Sequence, residues 1–140
     1  MSDSCVFCRI VNGELPSQTV YEDDDVMAFL DANPLAPGHT LVVPKGHYGR
    51  LRELSAEESA ALFSAVHDLS EPIENAVDAD AANVGINDGP AAGQEVPHLH
   101  VHVVPRFEGD GGRPIHAVAG ERPDLDDDEL ADIAAAISRG

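Results

Sequence analysis

Three histidines, His98, His100 and His102, alternate with apolar residues in segment 98–104. Successive side chains of a β-strand point to opposite faces, so the three imidazoles are predicted to line one face, about 7 Å apart. The intervening leucine and valines are predicted to point into a core. Neutral imidazoles in such a row either bind a metal ion or handle protons and bind anions near neutral pH. Single histidines often lie on strands without a function, but three in register beside an aliphatic face predict a functional site.

A second candidate site is the pair Cys5 and Cys8, the only cysteines of the chain. In an intracellular protein, two cysteines separated by two residues are typical of a metal site or a redox centre rather than of a structural disulfide.

The chain is strongly acidic, with 26 acidic and 8 basic residues among 140 and a formal net charge of −18. Such a surface repels nucleic acids and anionic membranes, so neither is expected as a partner. The acidic residues are spread along the chain, which favours a solvated coat of a halophilic type, adapted to salt that screens their mutual repulsion. The chain has no apolar run that could span a bilayer and no signal segment, so the protein is expected to be soluble and cytoplasmic.

Periodicity and end signals predict the elements that position these residues. Ser55 and Glu58 form a capping-box pattern at the start of an amphipathic helix that ends near residue 79. Pro72 predicts a kink in that helix or its division in two. The other predicted elements are short helix 5–11, strands 19–22, 26–30, 39–43, 83–87 and 98–104, and C-terminal helix 125–138.

Short strands in hairpin order, with one helix inserted between the third and the fourth, predict an α+β domain built on an antiparallel sheet. A single domain over residues 1–140 is expected. Its core would span residues 5–106, followed in 107–140 by a flexible segment and the C-terminal helix.

Segment 98–104 fits the pattern of the histidine triad (HIT) family, and three further segments fit the same family in the same order. These are the Cys-x-x-Cys opening 5–16, the strand segment 36–47 and the loop 93–97. The chain therefore resembles the nucleotide-binding branch of this family over residues 5–106. The resemblance implies the HIT-like fold: a five-stranded antiparallel sheet, a long kinked helix and a short N-terminal helix, here with a C-terminal helix appended.

Members of this family bind purine nucleotides, mostly as homodimers, and hydrolyse or transfer a nucleoside monophosphate group. The resemblance implies that His100 attacks the α-phosphorus of a nucleoside phosphoramidate or a dinucleoside polyphosphate. The resulting nucleotidyl-histidine is then cleaved by water. Histidine suits this nucleophilic role, because a neutral imidazole is nucleophilic near neutral pH when an acceptor holds its other nitrogen as N–H. His98, His102 and His39 would complete the catalytic group.

The resemblance also implies a nucleotide pocket. Asp31 would accept the ribose hydroxyls, Asn87 would lie beside the phosphate, and Arg106 is a further candidate for phosphate contact. The apolar walls around the purine would be Val6, Phe7, Phe29 and Leu30. Donors to the phosphate oxygens are expected from Gly93, Gln94, Glu95 and His102.

Position 95 departs from the family pattern, because many members carry serine or threonine there and that hydroxyl assists the leaving group. The carboxylate of Glu95 repels phosphate unless it points away or is protonated. The backbone N–H of Glu95 is therefore the donor expected.

Zinc-containing members of the family imply a structural zinc ion in this chain, and no organic cofactor. Two sulfur and two nitrogen ligands match the tetrahedral preference of zinc. The ion would clamp the N-terminal segment to the sheet. The implied ligands are Cys5, Cys8, His47 and His98.

Two alternatives stay open. One is a metalloenzyme in which the three triad histidines hold a catalytic metal, although alternate positions of one strand span too far for one tetrahedral ion. The other is a nucleotide sensor or interaction protein that keeps the pocket without turnover. The resemblance also implies a homodimer in which two five-stranded sheets join across the long helix and an edge strand.

Overall fold

The computed structural model describes residues 4–140. Its α-helices and strands are α1 (Val6–Val11), β1 (Thr19–Glu22), β2 (Val26–Leu30), β3 (Thr40–Pro44), α2 (Ala56–Ala76), β4 (Ala81–Ile86), β5 (Val101–Arg106) and α3 (Asp127–Arg139). The strands form one antiparallel sheet in the order β1-β2-β3-β5-β4. The predicted α+β fold with five antiparallel strands is therefore confirmed.

Helix α2 begins at the predicted capping box, in which Ser55 and Glu58 bond reciprocally to each other's backbone N–H. It runs through Pro72 as one element, so the predicted division in two is wrong. Proline removes the N–H partner of the carbonyl four residues earlier, at Asp68. Both residues are exposed, so the carbonyl lies on the solvent side of the helix and the missing hydrogen bond does not end it.

The predicted bounds of the triad strand are wrong, because β5 begins at Val101 rather than at residue 98. Its pairing with β3 starts only at Val101, opposite Val42. The N–H of Leu99 instead donates to the carbonyl of Tyr48, at 2.7 Å. Residues 98–100 are thus held by the loop that contains Tyr48 rather than by a neighbouring strand.

The far end of β5 also differs from the prediction, because Pro105 lies within the strand rather than closing it. Pairing with β3 ends at Val103, two residues earlier, so β5 is paired there with β4 alone. A proline is tolerated where a strand lacks a partner on one side.

The alternation of faces in the triad segment is confirmed. Leu99, Val101 and Val103 are all fully buried in the cluster between the sheet and α2. The opposite sheet face is covered by α1, whose Phe7 meets the rings of His98 and His100 edge-on. The histidines therefore lie on the α1 side of the sheet.

The chain beyond Phe107 has a different character, because every residue from 108 to 140 is exposed. Helix α3 begins at a capping box of its own, formed by Asp126 and Glu129. Among residues 4–140, no helix combines the length and the apolar character needed to cross a membrane.

Candidate active site and metal centre

An open pocket of about 930 Å³ lies on the α1 face of the sheet. None of the described residues that line it is a lysine or an arginine. Ten of the eleven residues predicted for the nucleotide site line this pocket: Val6, Phe7, Phe29, Leu30, Asp31, Asn87, Gly93, Glu95, His100 and His102.

The tautomer of His100 follows from its backbone contact. Nδ1 of His100 lies 2.8 Å from the carbonyl oxygen of His98. A carbonyl only accepts, so the hydrogen of the neutral ring is on Nδ1 and the lone pair is on Nε2. Phe7 packs edge-on against the same ring, with centroids 5.0 Å apart. A neutral His100 ring, which lines the pocket, therefore carries its free lone pair on Nε2.

A chain of three hydrogen-bonding groups fixes the tautomer of His102. The N–H of Leu35 donates to Nδ1 of His39 at 3.1 Å, so the hydrogen of neutral His39 is on Nε2. That Nε2–H donates to Nδ1 of His102 at 2.9 Å, which leaves the hydrogen of His102 on Nε2. Nε2 of His102 is buried and has no partner among residues 4–140. It is therefore a donor without an acceptor in a ring that lines the pocket.

Burial keeps both of these histidines neutral. Desolvation lowers the pKa of His39, although Asp31, 3.7 Å away, opposes this effect. Desolvation, with repulsion from His100 and His39, lowers the pKa of His102 to about 4. Neutral rings are what the deduced tautomers require.

Gln94, the eleventh predicted residue, does not line the pocket. Its Oε1 accepts from the N–H of Gly89 at 2.8 Å, and its Nε2 donates to the carbonyls of Gly49 and Val96 at 2.8 and 3.1 Å. These contacts tie together two loops beside the pocket. Gln94 thus holds the loop that presents Gly93 and Glu95.

Arg106, a candidate for phosphate contact, is also engaged elsewhere. Its guanidinium bonds to both carboxylate oxygens of Asp110, to Asn83 and to the carbonyl of Arg113. It does not line the pocket.

The structure brings together the four predicted zinc ligands. Sγ of Cys8 lies 3.2 Å from Nδ1 of His47, and both sulfurs lie 3.5 Å from Nδ1 of His98. All four ligand atoms lie within 4.8 Å of one another. Sulfur and nitrogen ligands of one tetrahedral zinc ion are about 3.5 Å apart, so the set fits zinc.

The contact of His98 with Pro44 supports the same conclusion. Nε2 of His98 lies 2.9 Å from the carbonyl oxygen of Pro44, so Nε2 carries the hydrogen. The lone pair of the neutral ring is then on Nδ1, which lies beside the two sulfurs, as a zinc ligand requires. The three triad rings therefore point to different partners: His98 to the sulfurs, His100 to a backbone carbonyl and His102 to His39. This arrangement disfavours one metal ion held by all three.

Sequence reasoning missed several residues that line the pocket, among them Ile10, Leu41 and Val96. Ile10 follows Phe7 by one helical turn, and Leu41 pairs with His102 across the sheet. The helical spacing of Ile10 and the cross-strand position of Leu41 are the signals by which these two residues could have been assigned to the pocket. Val96 carried no such signal.

Comparison with known proteins agrees with this geometry. The HIT domain family model matches residues 12–109. An adenylylsulfatase of Arabidopsis thaliana is 44% identical over 110 residues, which cover 79% of this chain and 56% of that protein. This chain thus spans only about half the length of that relative.

Two solved structures resemble the whole chain. A protein from Streptococcus mutans has a TM-score of 0.89 and 37% identity, with 99% of this chain and 86% of that chain covered. A zinc-bound histidine triad family protein from Mycobacterium smegmatis has a TM-score of 0.73 and 36% identity, with coverage of 97% and 94%.

Proposed function

Because the chain belongs to the histidine triad family, we propose that it cleaves purine nucleotides at the α-phosphate through a covalent intermediate on His100. The observation that carries this proposal is the hydrogen bond between Nδ1 of His100 and the carbonyl of His98. It leaves the Nε2 lone pair as the nucleophile of the pocket.

The proposed reaction has two displacements at phosphorus. Nε2 of His100 attacks, a bond to phosphorus forms, and the bond to the leaving group breaks with its electron pair. The leaving group takes a proton from solvent. Water then attacks the same phosphorus, releases the nucleoside monophosphate and a proton, and regenerates neutral His100. Positioning and charge stabilisation dominate such transfers.

His102 is proposed to stabilise the charge of the phosphoryl group. Its Nε2–H is buried and has no partner among the described residues, so a phosphoryl oxygen would supply the missing acceptor. A preorganised donor of this kind strengthens its bond as negative charge develops. The N–H groups of Gly93 and Gln94 already donate to the carbonyls of Pro90 and Gly89, so the backbone N–H of Glu95 would be the further donor in a pocket that has no lysine or arginine among its described lining residues.

The remaining walls are proposed to bind the nucleoside. Phe7 and Phe29, with ring centroids 5.5 Å apart, offer an apolar surface for the purine. Asp31 would accept the ribose hydroxyls. The similar adenylylsulfatase supports an adenylyl group as the part of the substrate that is retained.

Zinc is proposed to be structural, held by Cys5, Cys8, His47 and His98. When bound, it would join α1 to the segment before β5 and so fix the position of His100. The zinc-bound relative supports this assignment. We expect about one zinc ion per chain, lost in Cys8→Ala and kept in His67→Ala, since His67 is exposed. If activity instead follows metal loading while the fold stays intact, the metalloenzyme alternative is favoured.

The experiment that tests the function is turnover of an adenosine phosphoramidate, a dinucleoside polyphosphate and adenylyl sulfate, with AMP as the product measured. The proposal expects turnover of at least one compound by the wild type and none by His100→Ala. AMP binding without any turnover would favour the alternative of a nucleotide sensor.

A further inference from the structure

Five consecutive residues, 47–51, connect the candidate zinc centre to the loop that precedes the triad. The first of them is His47, whose Nδ1 lies 3.2 Å from Sγ of Cys8 in the predicted set of zinc ligands. Each of the next four residues contacts either the triad segment or loop 88–95. Every one of these contacts is thus within four residues of a zinc ligand.

Tyr48 fixes the start of this connection. Its carbonyl accepts from the N–H of Leu99, the residue between His98 and His100, at 2.7 Å. Its hydroxyl donates to Glu58 at the capped start of α2. The residue next to the zinc ligand is therefore held by both the triad segment and the long helix.

Asp88 links this segment to the loop. Its Oδ1 accepts from the N–H of Leu51 and from Nε of Arg50, both at 2.9 Å. These two donors, Leu51 first, lower the pKa of Asp88 below its ordinary value, so the carboxylate is charged near neutral pH. Hydrogen bonds to a charged acceptor are stronger than those between neutral groups. Nε2 of Gln94 adds a bond to the carbonyl of Gly49, at 2.8 Å.

The guanidinium of Arg50 also packs directly on Gly89. Gly89 is buried and has a φ of +107°, a backbone conformation that favours glycine. A Cβ at this position would lie 3.0 Å from Cζ of Arg50, closer than ordinary contact allows. This packing sets the distance between segment 47–51 and loop 88–95.

Loop 88–95 carries this contact to the pocket as one unit. The carbonyl of Gly89 accepts from the N–H groups of Ala92 and Gln94, at 3.1 and 3.2 Å. The N–H of Gly89 donates back to Oε1 of Gln94, at 2.8 Å. Gly93, between Ala92 and Gln94 in the chain, lines the pocket. A shift of Gly89 therefore moves Gly93 with it.

We propose that Asp88 couples the zinc centre to the phosphate end of the pocket, so that zinc and nucleotide each raise the affinity of the other. Zinc bound at His47 orders segment 47–51, and Asp88 extends that order to the loop beside the phosphate. A ligand that orders an element spares a second ligand the same entropic cost. Asp88 is a positioning residue in this effect, because it neither lines the pocket nor belongs to the zinc ligands.

This proposal rests on the proposed function, since it takes zinc and a nucleotide as the ligands of the two sites. Coupling of two binding sites is reciprocal. AMP therefore strengthens zinc binding by the same factor by which zinc strengthens AMP binding.

The coupling is measured as a ratio of two zinc dissociation constants, the value without AMP divided by the value with saturating AMP. The full chain is titrated with zinc against a chelator of known affinity. We expect a ratio of about five or more for the wild type, the lower end of typical coupling factors. A ratio of one would overturn the proposal.

Three variants locate the coupling. Asp88→Ala removes the acceptor shared by Leu51 and Arg50, so its ratio should fall toward one. Asp88→Asn keeps an oxygen that accepts from both donors, so it should retain most of the wild-type ratio. Asp68→Ala is the matched control, because Asp68 is exposed on α2, and its ratio should equal that of the wild type. Equal ratios in Asp88→Ala and Asp68→Ala would contradict the proposal.

Hydrogen exchange without nucleotide separates failure of this proposal from failure of the proposed function. Removal of zinc from the wild type should speed exchange at the N–H groups of Leu51 and Gln94 about tenfold or more, as for a local opening. Exchange at Val66, buried in α2, is the internal reference and should not change. Absence of AMP binding would count against the proposed function, and these exchange rates would still decide the coupling.

Three results of the exchange experiment would overturn the coupling. The first is unchanged exchange at Leu51 and Gln94 after zinc removal. The second is equally faster exchange at Val66, since zinc would then act on the whole fold rather than through segment 47–51. The third is a chain that binds no zinc, which would also contradict the proposed structural zinc.

Discussion

Nε2 of His39 lies 2.9 Å from Nδ1 of His102, and the backbone N–H of Leu35 occupies the other nitrogen of His39. These two contacts leave one arrangement of hydrogens for the neutral rings, with the free N–H of the pair on Nε2 of His102. A residue outside the triad thus decides which nitrogen of His102 donates. In the proposed mechanism, His39 is therefore a positioning residue for the N–H that His102 donates to the phosphoryl group.

Replacement of His39 should therefore reduce turnover more than nucleotide binding. We expect His39→Leu to lower kcat about tenfold to hundredfold and to change KM little. This loss is smaller than that caused by complete removal of a hydrogen-bond donor to the transition state. In His39→Gln the side-chain amide can donate to Nδ1 of His102, so this variant should retain most of the activity. Steady-state kinetics of both variants checks this. Equal losses in the two would show that His39 acts only through packing.

The lowered pKa of His102 predicts a specific dependence of stability on pH. The unfolded chain protonates this histidine near 6.5, whereas the folded chain does so at about 4. Below 6.5 the unfolded state binds more protons, so this group destabilises the fold as the pH falls toward 4. Between pH 6.5 and about pH 4, the free energy of unfolding of the wild type should therefore fall by at most about 3 kcal/mol more than that of His102→Gln. Urea unfolding of both proteins at about pH 7 and about pH 4.5 measures the difference. A constant difference would contradict the prediction.

The three hydrogen bonds of Gln94 predict that this side chain orders the loop before the triad. Gln94→Met keeps the shape but removes the polar atoms, so the N–H of Gly89 loses its acceptor. We expect a loss of about 1–3 kcal/mol in the free energy of unfolding and faster hydrogen exchange at Gly89. Gln18→Met is the matched control, because Gln18 is exposed. Unchanged exchange at Gly89 in Gln94→Met would refute this role.

Glu95 predicts a preference for leaving groups without negative charge. Glu95 lines a pocket that has no lysine or arginine among the described residues, so its carboxylate would repel an anionic leaving group. Glu95→Gln should raise kcat/KM for adenylyl sulfate about tenfold relative to kcat/KM for an adenosine phosphoramidate, whose amine leaving group has no negative charge. This factor corresponds roughly to one close charge pair in a partly solvated site. The ratio of the two specificity constants is the readout. A ratio equal to that of the wild type would exclude an electrostatic role for Glu95.

Features set by local patterns were predictable from the sequence. The bounds of the β1–β2 hairpin follow from the acidic turn 23–25 between two short strands, where Asp23 accepts from the N–H groups of Asp25 and Val26. The buried face of the triad segment follows from the alternation of its histidines with apolar residues. The start of α2 follows from its capping box, which needs only four consecutive residues.

Features set by distant partners were not predictable in this way. Gln94 was expected to contact the phosphate on the family resemblance, whereas in the structure its side chain bonds to the backbone, including that of Gly49, 45 positions away. Arg106 is the last residue of β5 and is held by groups on β4 and in the C-terminal segment. The start of β5 depends on where β3 begins to pair with it. Each of these outcomes is decided by a tertiary contact that no local pattern encodes.

The proposed covalent bond between Nε2 of His100 and phosphorus can be detected by rapid quenching of the wild type during turnover of an adenosine phosphoramidate, followed by peptide mass spectrometry. We expect an adenylyl group on His100 that forms and decays at least as fast as kcat. We expect no adduct in His100→Ala, which should still bind AMP. Near-normal turnover by His100→Ala, or an adduct on another residue, would contradict it.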